Sequence, residues 1–440
     1  MAKRRPTALP TPRPLSAKNA DWAFHADDDE VLDALAAGRQ SESLREYFGA
    51  PAYAELSVLA AAAKKARKPR GPRVLILPGI MGSKLGVRMR GPGSARRSHA
   101  GEVLWIDPPQ IAAGRLTALI LPSDQPLKSM GVLLFSYAKL RLQLRIAGCD
   151  VKFHSYDWRL GIDELGAKLA ARIRADGRPV VLVAHSMGGL VARMAAGILP
   201  RRLVSKLIML GTPNQGSFAS VQALRGTYPF VRKMSTLDRK HSAEYLAQHV
   251  FCTFPGLYHM LPPRTKEVDL YDPLCWPADG PEPSARLLAQ VAATRAALAP
   301  ADPRMVHIIG VNQETVVSLR RTSAGFEYAM DRNGDGTVPL ALARLPKLKS
   351  YFVDEAHADL ANNARVIQAV IDLVRRGHTT GLPQRWRAKP GIVQHVDDAQ
   401  LRMEGTEKID WRRLTPIQRE AVFAELDSGR LLPAASHPIA

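Results

Sequence analysis

A serine hydroxyl becomes a useful nucleophile only beside a base and a site for the oxyanion it creates. Residues 180–189, VVLVAHSMGG, followed by LVARMAAGIL, place Ser186 in a context suited to both. The order is an apolar strand, a tight turn and a helix, which is what a nucleophile elbow needs. Such a turn holds the serine in a strained conformation with its Oγ exposed, so the residues two before and two after must be small. Ala184 and Gly188 are small, although Ala184 departs from the G-x-S-x-G pattern. The helix behind Ser186 brings backbone N–H groups and a positive dipole end to the place where an oxyanion would develop. A glycine-rich helix start after a buried strand is the plain alternative, and the strand–turn–helix context disfavours it.

A second set of donors is expected in residues 77–83, LPGIMGS, directly after the first strand. Its two glycines permit a turn that exposes backbone N–H groups, and the expected oxyanion donors are the amides of Met81 and Met187. The base and its orienting acid should follow in the order Ser, Asp, His. Of twelve histidines, His357 stands out because it follows the late strand KSYFVDE and immediately precedes a long amphipathic helix, expected over 358–374. His307 reads as a strand residue and His185 as part of the elbow. For the acid, Asp335 lies in residues 331–339, DRNGDGTVP, a Gly-rich loop after a strand, with Asp354 as its rival. The same loop begins like a calcium-binding EF-hand, but Pro339 and Leu342 stand at its ninth and twelfth positions, where oxygen donors belong. No metal or other cofactor is called for.

The surrounding chain supplies the elements that would hold these groups. Apolar strand-like runs at 74–77, 151–154, 180–184, 203–210, 305–311 and 349–353 alternate with helix-period segments at 136–146, 163–175 and 188–198. Strands alternating with helices imply βαβ units and a mostly parallel sheet with helices on both faces. Residues 214 to about 300 interrupt the rhythm with aromatics, prolines and glycines, as an inserted cap or lid would. Residues 1–22 read as a disordered basic, proline-rich arm, 23–70 as an N-terminal helical segment, 71–380 as the sheet-bearing domain, and 381–440 as a C-terminal extension with one helix around 416–426.

Composition narrows the class without choosing a substrate. The chain has 440 residues, 61 Lys and Arg against 41 Asp and Glu, and a formal charge of +20. That excess favours polyanions in general. The basic residues are dispersed, with short clusters at 2–5, 64–73 and 201–206 and no accompanying nucleic-acid motif. A solvated basic face is the plain reading, and peripheral contact with anionic membrane is the second. Three cysteines without C-x-x-C spacing fit a reducing compartment rather than a disulfide framework. The proline-broken N-terminus lacks a signal peptide's apolar stretch, and no run reaches the ~18–20 apolar residues that span a bilayer. A cytoplasmic location is the expectation.

Four stretches together resemble the lecithin–cholesterol acyltransferase family: LPGIMGSKL from Leu77, SYDWRL at 155–160, AHSMGGLVAR with LIMLGTPNQGS, and NGDGTVP with the later His357. YDWRL is the most telling, and LWID at 104–107 is similar to a stretch near that family's small lid. The resemblance implies an α/β-hydrolase fold, Ser186, Asp335 and His357 as a catalytic triad, and Met81 in the oxyanion loop. It implies structural support from Trp158 and Arg159. The family's secreted members carry a lid disulfide and a signal peptide, and neither is expected here. The expected activity is hydrolysis or acyl transfer on lipid esters. The alternatives are a soluble small-ester esterase or thioesterase and, from another class, a non-catalytic binding protein on the same fold.

Overall fold

The computed structural model describes residues 22–88, 101–388, 392–403, 407–410, 413–414 and 418. The expected arm over 1–22 and the helix around 416–426 therefore lie outside the described residues, apart from Trp22 and Gln418.

Six strands form the central sheet: β1 (Arg73–Leu77), β2 (Asp150–Phe153), β3 (Val180–His185), β4 (Val204–Leu210), β5 (Met305–Val311) and β6 (Lys349–Asp354). Their order is β2-β1-β3-β4-β5-β6, and every neighbouring pair is parallel. These are the six runs expected from the sequence. β1, β3 and β5 are buried along their whole length, which is why they read as continuous apolar stretches without alternation. Alternate residues still face opposite ways. Leu75, Leu77, Leu182 and Ala184 join one apolar layer, and Val74, Ile76, Val181 and Val183 join the other.

Helices fill both layers. Ile162–Asp176 and Met187–Ile198 lie in the first, and Leu134–Ile146 and Ala364–Arg376 in the second. The second layer also contains the N-terminal helices Asp28–Ala37, Ser41–Phe48 and Ala50–Lys65. The first of these opens on a capping box, in which the Asp27 carboxylate accepts the Asp29 N–H and Glu30 accepts the Asp27 N–H. Lys84 pins this region by donating to the Ala26 carbonyl at 2.8 Å, and its ammonium also lies 3.4 Å from the buried Asp28 carboxylate. The helix expected from 358 begins only at Ala364. Asn363 caps it by accepting from the Arg365 and Val366 N–H groups, and residues 357–362 form turns.

Two small antiparallel sheets flank the large one. Ser83–Arg88 pairs with both Gly101–Trp105 and Lys128–Val132. Gly325–Asp331 pairs with both Thr315–Thr322 and Gln394–Asp397. Residues 214–300 carry helices and turns only, among them Phe218–Arg225, Pro229–Leu237 and Ala243–His249. Among the described residues, no helix is long and apolar enough to cross a membrane.

The chain steps from β1 outward to β2, then returns past β1 to lay down β3 and the remaining strands. Strand order therefore reverses between β1 and β3. In open parallel sheets the crevice at the carboxyl ends of the strands on either side of such a reversal is where ligands bind. The loop after β1 and Ser186 after β3 both open there.

Candidate active site

Ser186 immediately follows β3 with φ 52° and ψ −128°, a conformation side-chain-bearing residues seldom adopt. Its N–H donates to the Leu210 carbonyl at 2.8 Å, which ties the elbow to β4. The crowding explains the small neighbours. A Cβ on Gly188 would collide with the Pro78 carbonyl, and one on Gly79 would lie 2.9 Å from the Ser186 Cβ. Although Ser186 precedes the helix, its side chain caps nothing there. The Oγ lies instead 2.9 Å from His357 Nε2.

On the other side of the ring, His357 Nδ1 is 2.8 Å from Asp335 Oδ2. Asp335 is buried, and its Oδ1 accepts the Thr337 and Val338 N–H groups at 3.0 and 2.7 Å. Those bonds fix the carboxylate, and the His357 N–H also donates to the Asp335 carbonyl at 2.8 Å. With Nδ1–H donating to Asp335, Nε2 is left as the acceptor for the Ser186 hydroxyl. Asp354, the rival acid, points elsewhere: its carboxylate accepts from Asn312 Nδ2 at 2.5 Å and Gln313 Nε2 at 3.2 Å. Asp331 spends its carboxylate within the loop, on the Asn333 N–H and amide group. Among the described residues there is no group of three or more His, Cys, Asp or Glu that could hold a metal ion.

The loop after β1 sits against Ser186. Met81 has a positive φ of 62°, and its carbonyl accepts from Trp105 Nε1 at 2.8 Å. Trp105 is buried edge-on against Trp158, with ring centroids 5.2 Å apart, and Trp158 Nε1 donates to the Ser83 carbonyl at 3.0 Å. Arg159, also buried, grips Asp157 with two nitrogens and the Leu119 carbonyl with a third. Met187 opens the helix behind Ser186.

Several residues that hold the site carried little signal in the sequence. Gly211 and Gly310 leave room for Asp335 and His357: a Cβ on Gly211 would sit 3.0 Å from both Asp335 Oδ2 and His357 Nδ1, and one on Gly310 would sit 2.7 Å from the Asp335 Cβ. Tyr137 and His185 form a buried bridge. The Gly79 N–H donates to the Tyr137 oxygen at 2.9 Å, Tyr137 lies 2.9 Å from His185 Nδ1, and His185 Nε2 lies 2.9 Å from the His357 carbonyl. Burial, reinforced by nearby His357, pushes the pKa of His185 down to about 3, partly opposed by the hydrogen bond to the His357 backbone. A neutral ring fits one proton order only. Nε2–H donates to the carbonyl, and Nδ1 accepts from the Tyr137 hydroxyl. The bridge links the loop after β1 to the loop carrying His357.

These groups open onto a cavity of about 900 Å³, lined by Ser186, Met81, Trp105, Phe230, Leu257 and Met330 among others. That is near the upper end of the ~300–1,000 Å³ typical of small-molecule sites.

A parallel sheet in this strand order, with a strained serine at the end of β3, defines an α/β-hydrolase. Residues 148–375, more than half of the chain, match the lecithin:cholesterol acyltransferase family. The chain belongs to that family and is an ester hydrolase or acyltransferase. It is also similar to solved structures of distant hydrolases. The mature lipase BlEst2 of Bacillus licheniformis is 16% identical over 71% of this chain and 95% of its own, with a TM-score of 0.36. The Legionella pneumophila phospholipase PlaB is 11% identical over 69% of this chain and 59% of its own, with a TM-score of 0.32. A soluble variant of the Saccharomyces cerevisiae monoglyceride lipase is 12% identical over 72% and 89%, with a TM-score of 0.30. No curated protein matches the chain.

Proposed function

We propose that this protein transfers acyl groups from lipid esters to water or a second alcohol through an acyl-enzyme on Ser186. The observation that carries the reading is the unbroken line of hydrogen-bond distances from Ser186 Oγ through the His357 ring to Asp335, opening on a large, mainly apolar cavity. His357 Nε2 takes the hydroxyl proton as Oγ attacks the ester carbonyl. The buried Asp335 carboxylate holds the imidazole in the needed tautomer and stabilises its cation. The negative charge that develops on the carbonyl oxygen is bound by the amides of Met81 and Met187, one from the positive-φ loop after β1 and one at a helix N-terminus. His357 then passes its proton to the leaving alcohol, and the ester to Ser186 remains. A water or alcohol repeats the sequence in reverse and frees the enzyme. Family membership and the apolar lining support a lipid as the acyl donor.

The test is direct. A fluorophosphonate should label the protein at Ser186, and Ser186→Ala should abolish labelling and lower ester turnover by ~10⁴ or more. A substrate panel of p-nitrophenyl esters and phospholipid vesicles, read by mass spectrometry, identifies the products. Labelling that persists in Ser186→Ala overturns the assignment.

A further inference from the structure

The family match ends at residue 375, yet Gln394, Val396 and Leu401 line the cavity that opens on Ser186. The C-terminal extension thus supplies part of its wall. Partners across antiparallel strands put their side chains on the same face. Met330 is paired with Val316 on one side and Gln394 on the other, and the next row on that face holds Leu319, Tyr328 and Val396. Val316, Met330, Gln394 and Val396 all meet the cavity, so one face of this small sheet is its wall. The helix Asp398–Met403 follows at once and adds Leu401, which is buried.

A fully buried ion pair holds this wall in place. Arg225, from the insertion, and Asp398, from the extension, both have side chains with no solvent exposure, and they meet at 3.0 Å. Asp398 also accepts the Tyr328 hydroxyl at 2.8 Å and the Phe326 N–H at 3.3 Å. Arg225 spends its remaining donors on the Pro277 carbonyl at 2.8 Å and on Asp279 at 2.6 Å. One turn further on, Arg402 reaches Asp279 at 2.8 Å, and its carbonyl accepts from Arg232. Asp398 is compensated only in this register: sliding the extension by one residue would part it from Arg225 and turn Val396 away from the cavity.

We propose that Val396 and Leu401 determine the length of acyl chain the enzyme accepts, forming the apolar surface along which the chain lies while its carbonyl is at Ser186. This rests on the reading of Ser186 as nucleophile toward lipid esters. Apart from Gln394, the extension offers the cavity aliphatic side chains without donors or acceptors, and such a surface selects by methylene count. Each buried methylene is worth about fourfold in a rate or equilibrium constant.

The experiment uses the full-length protein as wild type, Leu401→Trp, Val396→Trp and Leu401→Ala. For each, kcat/KM is measured on p-nitrophenyl acetate, butyrate, octanoate and dodecanoate. The tryptophans should lower the dodecanoate-to-butyrate ratio of kcat/KM by about tenfold or more, since the indole displaces at least two methylenes. Leu401→Ala should move the optimum to longer chains, and it carries the test if a tryptophan variant does not fold. A ratio within about twofold of wild type in the folded variants overturns the role of the wall while leaving the nucleophile intact. A wild type that hydrolyses no ester and takes no fluorophosphonate at Ser186 overturns both.

Discussion

The cavity has two walls built on different principles. The wall around Ser186 is made of short loops at the ends of neighbouring parallel strands, and much of it is backbone: the turn at Ser186 and the loop at Met81, with the glycines at 79, 188, 211 and 310 allowing the close packing behind and beside them. The facing wall is made of side chains from segments far apart in the chain, residues 316–330 and 394–401, held by the Arg225–Asp398 pair. Backbone geometry set by a covered sheet leaves little freedom, which suits groups that must meet within a fraction of an ångström. A wall of side chains tolerates replacement, which suits the choice of substrate. Damage to the first wall should therefore appear in turnover, and damage to the second in stability and selectivity.

The sharpest break falls on Asp335. Asp335→Asn should fold normally and still expose Ser186, while turnover falls by on the order of 10⁴, the size seen for the comparable change in another Ser-His-Asp enzyme. Asp354→Asn should cost less than about tenfold, because Asp354 serves Asn312 and Gln313 and not His357. Steady-state kinetics on one soluble ester separates the two, and EDTA should leave both unchanged. Near-normal turnover in Asp335→Asn with collapse in Asp354→Asn would transfer the role of the acid.

On the facing wall, Asp398→Ala removes the buried partner of Arg225, leaving it only the half-exposed Asp279, and strips the Tyr328 hydroxyl and Phe326 N–H of their acceptor. Breaking a buried pair in this way costs about 3–5 kcal/mol. A urea titration should show that loss, with turnover per folded molecule on a short ester falling far less than in Asp335→Asn. A variant as stable as wild type would mean that the pair does not hold the extension.

A smaller effect distinguishes the walls by pH. His154, His185 and His307 are buried at the central sheet. Burial, joined by Arg172 beside His154, His357 beside His185 and Arg193 near His307, pushes their pKa values down to about 3, about 3 and about 4. The unfolded chain binds these protons near pH 6.5. Stability from these groups is therefore complete above about pH 6.5 and is lost as pH falls toward the folded values. Each group contributes a slope of up to about 1.4 kcal/mol per pH unit in that window. Urea midpoints measured across it should fall with acid, and His307→Gln should flatten the slope by one group's share. A midpoint independent of pH would show that these rings are protonated in the folded protein.

The central strands were legible because three of them are buried along their whole length and β4 and β6 over most of it, so their apolar runs are nearly continuous and are closed by Gly, Pro or charge. The elbow was legible because its requirement is local, with small residues at fixed offsets from Ser186. The amphipathic period alone does not mark where the helix after His357 starts; the Asn363 cap does, six residues after the histidine. The two three-stranded sheets were missed for another reason. Their strands mix charged and apolar residues, and each pairs with a segment whose position the sequence does not reveal.

By itself the sequence determined the runs that form the central sheet, their succession along the chain, and the strand–turn–helix that carries Ser186. Those follow from patterns of a few residues, since a strand's burial and a turn's steric limits are local properties. Only the tertiary structure decided which carboxylate faces His357, how Tyr137 and His185 join two loops, and that residues beyond 390 close the cavity. Those outcomes depend on distances between groups 22 to more than 170 residues apart. Many pairings of that kind are compatible with the same local pattern, and the choice among them falls to packing and to the cost of burying a charge without its partner.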